Sequence, residues 1–124
     1  MTYSIEPSED KTFITIKVVG DITRNSAMKQ NIEAHALGKK LGINKYLLDA
    51  RESRNNETVI DNYEFAYNDM AKPMFDASAR VAIIVSEDDH SHDFVVTASM
   101  NAGYHVKLFY DFDSAKQFLF TEHA

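Results

Sequence analysis

The chain has 124 residues, 44% of them hydrophobic and 11% aromatic, which is the size of one ordinary domain with enough apolar content to bury a core and argues against general disorder. Its formal charge of −6, from 19 acidic against 13 basic residues, repels phosphate backbones and anionic membrane surfaces, so nucleic acid is not expected as a partner. The absence of cysteine excludes disulfides, zinc–thiolate sites and cysteine nucleophiles.

The opening "MTYSIEPSED" lacks a basic stretch followed by an apolar one, and the longest apolar runs are far shorter than the ~20 residues that cross a bilayer. The expectation is a cytoplasmic protein without membrane insertion, folded as a single domain over residues 1–124. "TYSIE", the turn-forming "PSEDK" and the alternating "TFITIKVVG" read as a β-hairpin over residues 2–19, ended by Gly20-Asp21. Residues 24–41 favour helix, with capping candidates in Thr23, Asn25 and Ser26, Lys39 and Lys40 near the end, and Gly42 as a stop. "KYLLDA" (45–50) is a short buried strand and "RESRNNE" a polar loop.

Thr58 with Asp61 starts a helix running to about Ala71, whose Ile60, Tyr63, Tyr67 and Met70 recur at helical spacing; the stripe Tyr63–Tyr67–Met70 is read as facing the sheet, with Phe65 off it. "RVAIIVS" (80–86) reads as a strand covered on both faces. Residues 91–102 suit a helix, 104–110 a last strand, and "DSAKQFLF" a closing helix capped by Asp113. The order β-β-α-β-α-β-α-β-α predicts an α/β fold with about five strands and about four helices, mostly parallel after an antiparallel hairpin.

Ligands of open α/β sheets bind beyond the carboxyl ends of the strands. Two stretches qualify, 49–58 and 86–93; if their strands are neighbours, Arg51 and Arg54 oppose Glu87, Asp88 and Asp89. That rim reads either as a site for a protein partner or small molecule, or as solvated ion pairs worth ~0–1 kcal/mol each. Asp88, His90 and His92 are ligand types for a metal-dependent enzyme, but a two-residue spacing points two helical histidines apart, whereas a cap role for Asp88, Asp89 and Ser91 explains the polar cluster. His35, His105 and His123 read as surface or satisfied core residues. Tyr63 and Tyr67 offer either core packing, an apolar pocket beside helix 58–71, or a homodimer face. Four glycines, at 20, 38, 42 and 103, form no dinucleotide or Walker pattern, and no G-x-S-x-G elbow is present, so no cofactor is expected.

The element order, together with "YLLDARESRNNETVIDNYEFAYNDM" and "RVAIIVSEDDHSHDFVVTASMNAGYHVKLFYDFDSAKQFL", resembles the bacterial SpoIIAA-like (STAS/Sec14-like) proteins. The resemblance implies a SpoIIAA/STAS-like fold and a non-enzymatic regulatory or binding module working through the 49–58 and 86–93 loops. The more distant Sec14-like relatives imply carriage of a small apolar or lipid-like ligand. Phosphorylation-switched antagonists of this class carry a D-S-[ST]-G pattern; here Asp49 is followed by "ARESRNNETV", so Ser53 and Thr58 are the hydroxyls at hand and neither has the flanking residues of the switch. A flavodoxin- or receiver-like fold is the alternative; Asp49 imitates a receiver's phosphorylated Asp, but the first strand enters a hairpin and Lys107 falls inside its strand.

Overall fold

The structure, a computed structural model, describes residues 2–121, so His123 lies outside the described residues. Its elements are β1 (Thr2–Pro7), β2 (Ile14–Ile22), α1 (Arg24–Leu41), β3 (Lys45–Asn55), α2 (Val59–Glu64) continued by one π-helical turn (Phe65–Asp69), β4 (Arg80–Ile84), α3 (Asp93–Asn101), β5 (His105–Phe109) and α4 (Phe112–Phe120). The strands form one sheet in the order β1-β2-β3-β4-β5, with β1 antiparallel to β2 and the remaining pairs parallel. The hairpin turns where expected: Ser8 Oγ accepts from the Thr12 and Phe13 amides, and Asp10 accepts from the Ser8 and Thr12 hydroxyls.

Because the parallel strands follow one another without a reversal, crossovers of the usual right hand put their helices on one face. Contacts of α1 with β2, of α2 with α3, and of the π turn with α1 and α3 agree with that placement. This face buries Ile14, Ile16, Val18, Ala34 and Tyr46 at one end and Ala50, Ile83, Val85, Val96 and Val106 at the other. The opposite face is covered by α4, whose Ala115 and Leu119 pack on Leu47, Ala82 and Ile84. Each fully buried Leu or Ile here contributes about 1.5–3 kcal/mol.

Two strands run further than their sequence signals. Instead of stopping at Gly20-Asp21, β2 continues to Ile22; instead of dissolving into a polar loop, β3 continues through "RESRN". The two extensions pair with each other, Val19 to Ile22 against Glu52 to Asn55, after a bulge between Lys17 and Val19. Neither segment has a hydrophobic strand pattern; each is a strand because the other satisfies its backbone groups.

Two cap assignments also change. The N-cap of α4 is Asp111, which accepts from the Ser114 amide, rather than Asp113. The N-cap of α3 is His92, without a side-chain cap bond, while Asp89 accepts from the Ser91 amide in the preceding turn and Ser91 Oγ accepts from the Asn55 amide. Thr23 and Thr58 cap α1 and α2 as expected, and Gly42 ends α1 at φ 72°.

Ala27, Ala34 and Gly38 give α1 small residues toward the sheet, and Gly38 is the tightest point. A Cβ there stands 2.0 Å from Tyr46 Oη and 2.6 Å from the Ile43 carbonyl. Gly38→Ala is therefore expected to lower stability by about 1–3 kcal/mol through overpacking, despite a helix-propensity gain of up to ~1 kcal/mol. A urea midpoint equal to or above wild type contradicts that close approach.

Candidate functional site

The strand ends bring together fewer of the expected residues than their sequence positions promised. Arg51 is not free to face the acidic turn: Nε and Nη2 bind the Asp49 carboxylate, each at 2.9 Å, and the guanidinium lies over the Phe112 ring at 4.9 Å. The Arg51 hydrogen bonds are the main cause holding the Asp49 carboxyl below its usual range, against the opposing effect of burial. Arg54 does reach the 86–93 turn, with Nη1 3.5 Å from Asp89 Oδ1, and Lys17 pairs with Glu52 at 3.1 Å. Asp88 is exposed, and Ser53 is buried with its hydroxyl donating to the Ala50 carbonyl.

The histidines of the turn part company. His90 is exposed beside Asp93, at 3.1 Å, whereas His92 is buried, its Nε2 3.7 Å from Asp89 Oδ2 and without a hydrogen-bond partner. Among the described residues no group of three or more His, Asp or Glu side chains is placed to hold a metal, so Asp88, His90 and His92 do not converge. Burial pushes Asp89 upward, but hydrogen bonding from Ser91, with His92 and Arg54 nearby, outweighs it and keeps the carboxyl below its ordinary value.

Helix α2 presents a different face from the one its periodicity implied. Ile60 and Tyr63 are 74% and 49% exposed, and Tyr63 stacks on Tyr67 at 4.5 Å on the outer side. The buried positions are Asn62, Ala66 and Asp69. Polar residues win this face because partners await them: Asn62 Oδ1 accepts from the Asn55 amide group at 2.9 Å, and Asp69 takes both Nε and Nη2 of Arg24, at 2.7 and 3.0 Å. The Arg24 hydrogen bonds are the largest influence on Asp69 and hold its carboxyl low. Arg24 also lies 3.6 Å from Asp61, so one side chain from the start of α1 ties down both ends of the α2 segment.

Beneath α2, between the sheet and helices α1 and α3, lies a cavity of about 130 Å³. Its walls include Leu48, Phe65, Val81, Ile83, Val96 and Val106, and Gln30 also lines it. Gln30 is 3% exposed and its Oε1 has no hydrogen-bond partner, a condition that costs about 1–3 kcal/mol when nothing else fills it. Gln30 was not singled out from the sequence, although its place was readable: it sits three residues after Ala27 and four before Ala34, on the small-residue face of α1. Arg24 and Asp69, Asn55 and Asn62, and His35 were likewise unmarked. Partners in other elements define the first four, and His35, read as a surface or satisfied core residue, stacks on Tyr46 at 4.7 Å while its Nδ1 accepts from the Asp76 amide.

No family model matches the chain, and no curated protein does. Among solved structures it is similar to an uncharacterized DUF3478-family protein with a SpoIIAA-like fold from Shewanella loihica PV-4. The identity is 22% and the TM-score 0.56, over 95% of this chain and 92% of that one. The chain has a SpoIIAA-like fold. Among the described residues, the mixed five-stranded sheet with its four α-helices matches that fold. Within the SpoIIAA-like sheet the 49–58 stretch is mostly strand, and the cavity lies against its helix-bearing face instead of beyond its strand ends.

Burial is the leading cause for both His35 and His92 and pushes each imidazole below the ordinary 6.5, against Asp76 in one case and Asp89 and the Ser53 backbone in the other. The unfolded chain then binds protons that the folded one resists, so this contribution is complete above the unfolded value of 6.5 and is lost as pH falls through the folded values. Asp49 and Asp69, held below 3.8, add a second loss at lower pH. Proton NMR is expected to show both histidines titrating below 6.5, with a urea midpoint that declines between about pH 7 and about pH 5. A His92 midpoint above the ordinary value contradicts its neutral, buried state.

Proposed function

We propose that this SpoIIAA-like chain is a non-enzymatic binding module whose ligand site is the cavity beneath α2, taking a small, mainly apolar molecule. The observation that carries the reading is a mainly apolar cavity of about 130 Å³ lined in part by Gln30, whose buried amide oxygen no protein group satisfies. Protein interiors are packed nearly without voids, and a space of about 150 Å³ suffices for benzene. That size favours a single-ring or short-chain molecule over a long lipid tail.

Binding without turnover is favoured because several of the charged and titratable groups on and beside the walls are already engaged. Arg24 holds Asp69, His35 holds the Asp76 amide, and His92 is drawn to the Ser53 backbone and to Asp89. The strand-end rim supports the reading less well as a docking site, since Arg51, Arg54 and Lys17 are each matched by an acid of this chain. Among the described residues no helix is long and apolar enough to cross a membrane.

Toluene at ten times its Kd is expected to stabilise the wild-type protein by about 1.4 kcal/mol. Ala27→Leu, which fills space on the wall beside Gln30, is expected to stabilise the unliganded protein by about 0.5–1 kcal/mol and to abolish the toluene effect. Melting curves that toluene leaves unmoved count against the cavity as a site.

A second reading, a homodimer through the outer side of α2, is favoured by the exposure of Val59, Ile60, Tyr63 and Met74, at 66%, 74%, 49% and 54%. Light scattering over a concentration series is expected to show a dimer that Ile60→Lys disperses; a monomer at the highest soluble concentration rules this out.

A further inference from the structure

We propose that the cavity selects a neutral, single-ring compound bearing one hydroxyl group, with the ring against the sheet-side walls and the hydroxyl on the side-chain amide of Gln30. This rests on the reading of the cavity as a binding site and adds the chemical class of its ligand.

The polar groups along the walls divide into those with partners and those without. Asn31 donates to the Ala27 carbonyl, Ser99 donates to the Val95 carbonyl, and Asn55 and Asn62 bind each other. Gln30 Oε1 and His92 Nε2 remain, on residues 3% and 4% exposed that line the cavity, and His92 Nε2 has the Asp89 carboxylate 3.7 Å away. The neighbours of Gln30 at helical spacing, Ala27 and Ala34, are small and apolar. A buried amide in that setting gains from a ligand that completes its hydrogen bonding, and toluene-like molecules cannot do so. A hydroxyl meets either end of the amide, donating to the oxygen or accepting from the amino group.

Charge sets the second part of the class. Glu57, Asp61 and Asp76 line the cavity, and the lining arginine, Arg24, is held by Asp69 at 2.7 Å. A carboxylate or phosphate ligand meets this acidic surround without an uncommitted arginine to pair with. An ammonium group would be attracted by these acids, but Asp61 and Asp76 already bind Arg24 and Ser78, and the group would have to leave water for mainly apolar walls. Neutral ligands avoid both penalties, and the volume of about 130 Å³ limits them to roughly one ring.

The test measures calorimetric affinities of phenol, toluene, benzoate and benzylamine for wild type, Gln30→Met and Gln30→Leu, with the side-chain amide signals followed by ¹⁵N NMR. Phenol is expected to bind wild type about tenfold more tightly than toluene and to move the Gln30 amide signal, which toluene leaves in place. In both Gln30 variants the phenol-to-toluene ratio is expected to fall to about one while toluene binding persists. Equal binding of phenol and toluene by wild type, or a preference retained in the variants, overturns the hydroxyl assignment and leaves the cavity reading standing. Tighter binding of benzoate or benzylamine overturns the neutral class. Binding of none of the four overturns both the class and the cavity reading.

Discussion

The pairing of Val19–Ile22 with Glu52–Asn55 is the contact from which the rest of the molecule's functional end is hung. It keeps β3 extended well past its hydrophobic stretch, and every residue of that extension then finds a separate task. The Ser53 backbone faces the His92 imidazole, and Arg54 reaches Asp89. Asn55 holds Ser91 through its amide and Asn62 through its side chain. The turn after β4 and the inner face of α2 are thereby attached to a single strand end. Without parallel pairing to β2, the same polar residues would form a solvated loop and neither attachment would have a fixed origin.

That anchoring explains how α2 covers the sheet without burying its most apolar side chains. A short helix with a π turn gains little from propensity alone, since most helical stability in proteins comes from tertiary packing. Here the packing is largely polar: Asn62 to Asn55 at one end and Asp69 to Arg24 at the other, with Ala66 lying between. Hydrogen-bonded end points and a small residue in the middle hold the segment over the sheet at a distance that its tyrosines do not close. The cavity occupies the space left underneath, and α1 contributes to it by presenting Ala27 and Gln30 there.

The main elements were legible in the sequence because they depend on local signals. Alternation in "TFITIKVVG", the Thr23 and Thr58 caps, the Gly42 stop and the apolar "RVAII" run each specify backbone geometry through neighbours a few residues away. The same logic misplaced Tyr63 of α2, because counting apolar residues at helical spacing turns it to the sheet whatever awaits Asn62 and Asp69. It also ended β3 at Ala50, since nothing in "RESRN" shows that another polar strand lies alongside. The expected opposition of both arginines to the 86–93 acids was met by Arg54 alone; Asp49, two residues away, claims Arg51 first.

By itself the sequence determined the element types, their order and the mixed sheet they build, because backbone propensity, capping and hydrophobic period act over short stretches of chain. Only the tertiary structure decided which polar residues would be buried and what would lie beside them. Asp69 lies 45 residues from Arg24, and Ser91 lies 36 from Asn55. Whether a buried amide such as that of Gln30 is satisfied or left open depends on groups brought together from four elements. Hydrogen bonds and cavities are properties of that assembly, and no local pattern encodes them.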